Sequence, residues 1–156
     1  MGHVQVGRVV HRFKLPATGD KTVDLKTLRG KIVAFYFYPK DSTPGCTTEG
    51  CDFKANYLKF KRSNALVFGI SRDTIASHEK FKAKFGFPFD LLSDTAEKVC
   101  QLFDVIKEKN MYGRKVIGIE RSTFLIDENG KLQREWRKVK VKGHVEEVLK
   151  AVKALQ

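Results

Sequence analysis

Two cysteines five residues apart, Cys46 and Cys51, lie in the stretch Thr43-Pro-Gly-Cys-Thr-Thr-Glu-Gly-Cys51, just after an apolar run from Ile32 to Tyr38. Pro44 stands where helix starts favour proline, which puts Cys46 in a first helical turn. Free backbone N–H groups and the positive end of the helix dipole favour an anion at that place. The thiolate is the nucleophilic form of cysteine, so the position suits a sulfur that attacks. Thr43 is placed to donate a hydroxyl hydrogen bond to that sulfur or to an oxygen substrate beside it, and Gly45 lets a substrate approach the backbone.

The spacing to Cys51 differs from the Cys-x-x-Cys of thioredoxins and zinc knuckles. In an intact α-helix, residues i and i+5 lie about 140° apart around the axis with Cα atoms about 8–9 Å apart. A disulfide needs Cα atoms within roughly 7 Å, so joining Cys46 to Cys51 requires the first helical turns to unwind. Gly50, which costs a helix about 1 kcal/mol relative to alanine, sits where that unwinding falls. A bond closing so small a loop stabilises the fold by only about 2 kcal/mol before strain, which fits a redox event better than a staple. A lone cysteine is more often a small buried hydrophobe. The Thr-Pro-Gly-Cys turn, the strand before it and the second cysteine favour the reactive reading. Cys100, beside Val99 at the border of an apolar stripe, reads as inert; the alternative is that it resolves Cys46 in place of Cys51.

The elements that position these residues are legible as periodicity. Ile32–Tyr38, Leu66–Ser71 and Thr123–Asp127 are near-continuous apolar runs of the kind buried on both faces of a sheet. Leu132–Val141 alternates imperfectly, as a half-solvated edge strand does, and Asn129-Gly130 before it signals a tight hairpin. Helical stripes run through Phe53, Tyr57 and Phe60; Phe81 and Phe85; Val99, Leu102, Phe103 and Ile106; and Val145, Val148, Leu149, Val152 and Leu155. Asp94 and Glu97 are spaced as a capping box for the third of these. The order strand, helix, strand, helix, helix, hairpin, helix argues an α/β fold, a thioredoxin-like sandwich with a central mixed β-sheet flanked by helices. One domain over residues 1–156 accounts for the whole length.

Composition narrows the remaining classes. The chain of 156 residues is 42% hydrophobic with 12 Phe, enough for a core without staples. Its longest apolar run is far shorter than the roughly 20 residues of a membrane helix. The start of the chain lacks a signal peptide's apolar core, and Val6 breaks the myristoylation pattern. Three cysteines in such a domain point to a reducing, cytoplasmic home. Neither they nor His3, His11, His78 and His144 show a zinc pairing, and no phosphate loop or Gly-x-Ser-x-Gly elbow is present, so neither a metal nor an organic cofactor is expected. Thirty Lys and Arg against 18 Asp and Glu give a formal charge of +12. Lys131, Arg134, Arg137, Lys138, Lys140, Lys142 and His144 with Trp136 among them raise the alternative of a nucleic-acid-binding module. A solvated basic face is the simpler reading.

The motifs resemble one known family. Phe35-Tyr-Phe-Tyr-Pro-Lys with Thr43-Pro-Gly-Cys-Thr-Thr-Glu-Gly-Cys-Asp is similar to the active site of the Q-type (bacterioferritin-comigratory-protein) peroxiredoxins. The similarity continues through Gly69-Ile-Ser-Arg-Asp, Phe89-Asp-Leu-Leu-Ser-Asp, Met111-Tyr-Gly, Arg121-Ser-Thr-Phe-Leu-Ile-Asp and Trp136-Arg-Lys-Val-Lys-Val-Lys-Gly-His, nearly the whole chain. Val10-His-Arg-Phe departs from the family's Ala-Pro-Asp-Phe. The resemblance implies a thiol-dependent peroxidase for hydrogen peroxide and organic hydroperoxides. In it Cys46 is the peroxidatic cysteine, Cys51 the resolving one, Thr43 and Arg121 the donors to thiolate and peroxide, and Pro44 the shield. It further implies a sulfenic acid on Cys46, a Cys46–Cys51 disulfide, recycling by thioredoxin or a similar dithiol, and a monomer. Arg121 suits its role physically, since a departing oxyanion needs a permanent positive charge. A thiol–disulfide oxidoreductase or redox sensor on the same fold is the nearest rival.

Overall fold

The computed structural model describes residues 2–156. Strands β1 (Lys14–Ala17) and β2 (Lys21–Asp24) form a hairpin, followed by a 3-10 turn, Leu25–Leu28. Strand β3 (Ile32–Phe37) leads to helix α1 (Pro44–Ala55) and helix α2 (Tyr57–Arg62). Strand β4 (Ala65–Ser71), helix α3 (Ile75–Phe85), strand β5 (Leu91–Ser93) and helix α4 (Lys98–Leu102) follow. The chain ends with β6 (Ile106–Met111), β7 (Arg114–Ile119), β8 (Ser122–Ile126), β9 (Leu132–Trp136) and α5 (His144–Ala154). Seven strands make one mixed sheet in the order β2-β1-β5-β4-β3-β8-β9, and β6 with β7 forms a separate ribbon. β3 pairs parallel with β4 and antiparallel with β8, so the strand that feeds the cysteine helix lies deep in the sheet.

All six residues of β3 are buried, and their alternation divides the interior in two. Val33, Phe35 and Phe37 point to a core with Phe68, Ile70, Phe103 and Phe124; α4 closes that face through Val99 and Cys100. Ile32, Ala34 and Tyr36 point to the opposite core, where α1, α2, α3 and α5 contribute Phe53, Phe60, Phe81 and Val148. Burial on both faces is why the runs at 32, 65 and 122 read as continuous rather than alternating.

The structure corrects several sequence expectations. The strand expected over Leu132–Val141 ends at Trp136, and Lys138 adopts a positive φ of 50°, which cannot continue a ladder. Its placement at a sheet edge holds. The stripe through Phe53, Tyr57 and Phe60 is shared by two helices, broken at Asn56. The expected capping box does not form. Glu97 is itself the N-cap, at φ 63°, and Asp94 reaches past it to accept from the backbone N–H of Val99 and of Cys100, at 3.3 and 2.6 Å. Ile106 belongs to β6 and not to the helix of Val99. The short or exposed strands β1, β2, β5, β6 and β7 carry no clear period and were not anticipated.

Candidate active site

The buried face of α1 is Cys46, Glu49, Gly50 and Phe53, an i, i+3, i+4, i+7 stripe whose first three members are not aliphatic. An unusual core-facing stripe of this kind is the signal that finds Glu49, which apolar periodicity alone passes over. The helix starts as expected, with Thr43 at the N-cap and Pro44 exposed at the first position. Thr43 accepts the N–H of Thr47 through its carbonyl oxygen at 2.9 Å, but its side chain caps nothing. The amide end of α1 is therefore left open toward Cys46.

Arg121 stands between β7 and β8 and turns its guanidinium onto that end. Its Nη2 donates to Cys46 Sγ at 3.3 Å, and its Nη1 donates to Glu49 Oε1 at 2.7 Å. Cys46 is 1% exposed and the side chain of Glu49 is fully buried, so the cation works where water screens little. Burial pushes the Glu49 carboxyl up to about 7 against the opposing pull of Arg121. Glu49 Oε2 and the hydroxyl of Tyr36, on the strand beneath, are both buried without a hydrogen-bond partner. Burial, and then the nearby Glu49 and Cys46, keep the Tyr36 phenol well above its ordinary range.

The geometry adds contacts at Thr43 and Gly45. Thr43 Oγ1 donates to Lys40 O at 2.8 Å, so its proton belongs to the loop and its oxygen is left as an acceptor. A Cβ at Gly45 would lie 3.1 Å from Arg121 Nη2, so this glycine also makes room for the guanidinium. Gly50 also has a packing role: a Cβ there would meet the ring of Phe87 at 2.5 Å. Cys51 is half-buried, and all three cysteines are free thiols, with α1 continuous across Cys46 and Cys51.

The loop that delivers Thr43 is fastened by groups not singled out in the sequence. Asp41, buried, accepts from Tyr38 Oη at 2.6 Å and from Ser77 Oγ at 2.7 Å, and its Oδ2 lies 2.7 Å from His78 Nδ1. Asp41 N–H donates to Asp73 Oδ2 at 2.9 Å, and His78 Nε2 lies 2.9 Å from Leu92 O. Asp41, Asp73 and His78 form the one grouping of metal-ligand types among the described residues, and hydrogen bonds already engage the facing atoms. Around Arg121 lie two further groups. Lys109 of β6, half-buried, donates to Ile119 O; burial and the Arg121 charge hold its ammonium below the ordinary lysine range. His144 Nε2 lies 2.7 Å from Thr123 Oγ1, and burial with Arg121 pushes the ring down to about 4.

Cys100 is fully buried, and burial followed by the Asp94 charge drives its thiol far up. The basic segment near the C-terminus is partly consumed by the fold. Arg137 donates to the carbonyls of Phe103 and Asp104, and the indole nitrogen of Trp136 is buried rather than presented to a ligand. Among the described residues no helix is long and apolar enough to cross a membrane.

The chain is similar to known proteins over nearly its whole length. Residues 6–135 match the AhpC/TSA family. Peroxiredoxin Bcp of Xanthomonas campestris is 54% identical over 144 residues, 91% of this chain and 90% of that protein. Peroxiredoxin Bcp of Bacillus subtilis is 47% identical over 150 residues, 96% of each chain. Among solved structures, Xanthomonas campestris Peroxiredoxin Q superposes with a TM-score of 0.87 at 53% identity, covering 91% of this chain and 90% of that one. A Xylella fastidiosa PrxQ variant superposes with a TM-score of 0.93 at 45% identity, covering 99% and 98%.

Proposed function

The chain belongs to the AhpC/TSA family as a peroxiredoxin of the Q type, a thiol-dependent peroxidase, and on that premise we propose that Cys46 is its peroxidatic nucleophile and Cys51 its resolving thiol. The observation that carries the assignment is the Arg121 Nη2 contact to Cys46 Sγ, 3.3 Å, at the uncapped start of α1. A cation held there stabilises the thiolate before attack and the oxyanion after it.

Cys46 attacks the terminal peroxide oxygen. The S–O bond forms, the O–O bond breaks, and water or an alcohol leaves once the oxyanion is protonated. Thr43, its own proton committed to Lys40 O, accepts a hydrogen bond from the peroxide O–H. The first turns of α1 then unwind, and Cys51 condenses with the sulfenic acid to a disulfide with loss of water. A thioredoxin-like dithiol reduces that bond. The trapped-intermediate and ligand-complex structures of Xanthomonas campestris bacterioferritin comigratory protein concern its alkyl peroxide reduction, which supports organic hydroperoxides beside hydrogen peroxide as substrates here. Near-complete burial of Cys46 in a continuous helix favours a small peroxide over a protein disulfide as the first reactant.

Peroxide consumption coupled to a thioredoxin system tests the assignment. Cys46→Ser should fall to background. Peptide mapping after one equivalent of peroxide should give a Cys46–Cys51 linked peptide. Disulfide reductase activity without peroxide consumption would instead establish the oxidoreductase reading.

A further inference from the structure

One guanidinium in this buried site faces two acids. Arg121 spends Nη2 on Cys46 Sγ and Nη1 on Glu49 Oε1, and both acids sit on the same face of α1, three residues apart. Two anions against one cation would leave a net negative charge where water is excluded, and buried like charges resist joint ionisation. We propose that Cys46 and Glu49 share a single proton against Arg121, so that Glu49 takes up the proton when the thiolate forms and gives it up when the sulfur is oxidised. The proposal rests on Cys46 being the peroxidatic cysteine and assigns Glu49 as the positioning residue that keeps the site neutral through the reaction.

Cys46–SH and the Glu49 carboxylate become Cys46–S⁻ and the Glu49 carboxylic acid. Attack on ROOH oxidises the sulfur by two electrons to Cys46–SOH and releases RO⁻. Protonation of RO⁻ to ROH leaves Glu49 as the carboxylate, and Arg121, no longer facing a thiolate, pairs with it. Reduction of the later disulfide by an external dithiol returns Cys46–SH and restarts the exchange.

Independent features agree with an exchangeable proton. Glu49 Oε2 has no partner although it is buried, and the Tyr36 hydroxyl is likewise unpartnered. A carboxyl whose buried oxygen makes no hydrogen bond is poorly arranged to stay ionised. Burial raises Glu49 to about 7, within reach of a thiol's proton. The other charged or titratable groups around it do not supply a second counter-ion. Tyr36 from β3 is kept neutral, Asp52 on α1 adds negative charge, and His144 from α5 feels Arg121; Lys109 from β6 feels both Arg121 and Cys46, but its ammonium donates to Ile119 O and pairs with neither acid.

The test reads the proton directly. Protein labelled with ¹³C at glutamate carboxyls, with Glu49 assigned by its absence in Glu49→Gln, is titrated as the reduced wild type and as Cys46→Ser. Removing the thiolate should lower the Glu49 midpoint by about one pH unit or more, because a like charge has gone. An unmoved midpoint overturns the shared proton. The second reading is the pH profile of peroxide reduction. Glu49→Gln, which keeps an acceptor for Arg121 Nη1 but cannot exchange a proton, should flatten the pH dependence that wild type shows between pH 5.5 and 8. A uniform fall at every pH in both Glu49→Gln and Glu49→Ala would mean that Glu49 only props Arg121, and would overturn the proposal. Failure of wild type to consume peroxide would count against the peroxidase assignment, which the carboxyl titration does not use.

Discussion

Cys46 and Cys100 occupy the same kind of place and meet opposite charges. Each is the third residue of a helix, α1 or α4, and each is buried, at 1% and 0% exposure. At α1 the N-cap side chain leaves the amides free and a guanidinium meets the sulfur. At α4 the amides of Val99 and Cys100 are taken by Asp94, and the same carboxylate faces the thiol. A helix start therefore does not fix what a cysteine meets: tertiary structure brings a cation to one sulfur and a carboxylate to the other.

The largest effect expected on this contrast is at Arg121. Arg121→Met removes the only charged donor on Cys46 Sγ among the described contacts and should lower kcat/KM for peroxide about 10²–10³-fold, as losing one oxyanion donor does. Stopped-flow reduction of hydrogen peroxide measures it, and a loss under tenfold would mean that the helix end suffices after all.

Next comes the stability linked to Glu49. Its folded value of about 7 lies above the ordinary 4.5, so the folded state holds a proton that the unfolded chain releases. Stability contributed by this group is full below about pH 4.5 and falls as pH rises to 7, by about 3 kcal/mol across that window. His144 works with the reverse sign: its folded value of about 4 against 6.5 makes stability fall as pH drops through that range. Urea unfolding of wild type and Glu49→Gln at pH 5 and 7.5 cancels the His144 part. The variant should gain stability relative to wild type at the higher pH, and parallel behaviour would remove the linkage.

At Cys100, Asp94→Ala should cost about 1–2 kcal/mol, the usual penalty for losing a capping side chain, and the thiol should react faster with a thiol reagent. Peroxide turnover should persist in Asp94→Ala and in Cys100→Ser alike. Loss of disulfide formation in Cys100→Ser would make Cys100 a resolving thiol and collapse the contrast.

The smallest effect concerns opening. Helix α1 must unwind for Cys51 to reach Cys46, while nothing asks α4 to move. Gly50→Ala gains about 1 kcal/mol in helix propensity but overpacks against Phe87, at a cost of about 1–3 kcal/mol. The net change of about 1 kcal/mol favours the unwound form, so disulfide formation after a peroxide pulse should be roughly fivefold faster. Fluorescence of the single tryptophan, Trp136, follows it. Slower closure of the disulfide would show that propensity outweighs the Phe87 contact.

Local signals carried much of this reading. Apolar runs placed β3, β4 and β8, proline and threonine placed the start of α1, and the stripe from Val145 placed α5, because burial on both faces or along one helical face is written in consecutive residues. Short strands such as β5, three residues long, hold too few positions to show a period. Spacing does not place the Asp94 cap, since the helix starts after Glu97 at positive φ, which spacing rules do not anticipate. Glu49 went unmarked because a buried charge in a core stripe counts against burial until its partner is known.

By itself the sequence determined an α/β fold, a cysteine in a first helical turn, and a second cysteine too far along an intact helix to bond without unwinding. Only the tertiary structure decided which charge each buried thiol meets: Arg121 reaches Cys46 from 75 residues away, and Glu49 from 72. Periodicity reports a residue's own neighbourhood, whereas the electrostatics of a buried site come from groups that folding brings together across the sheet.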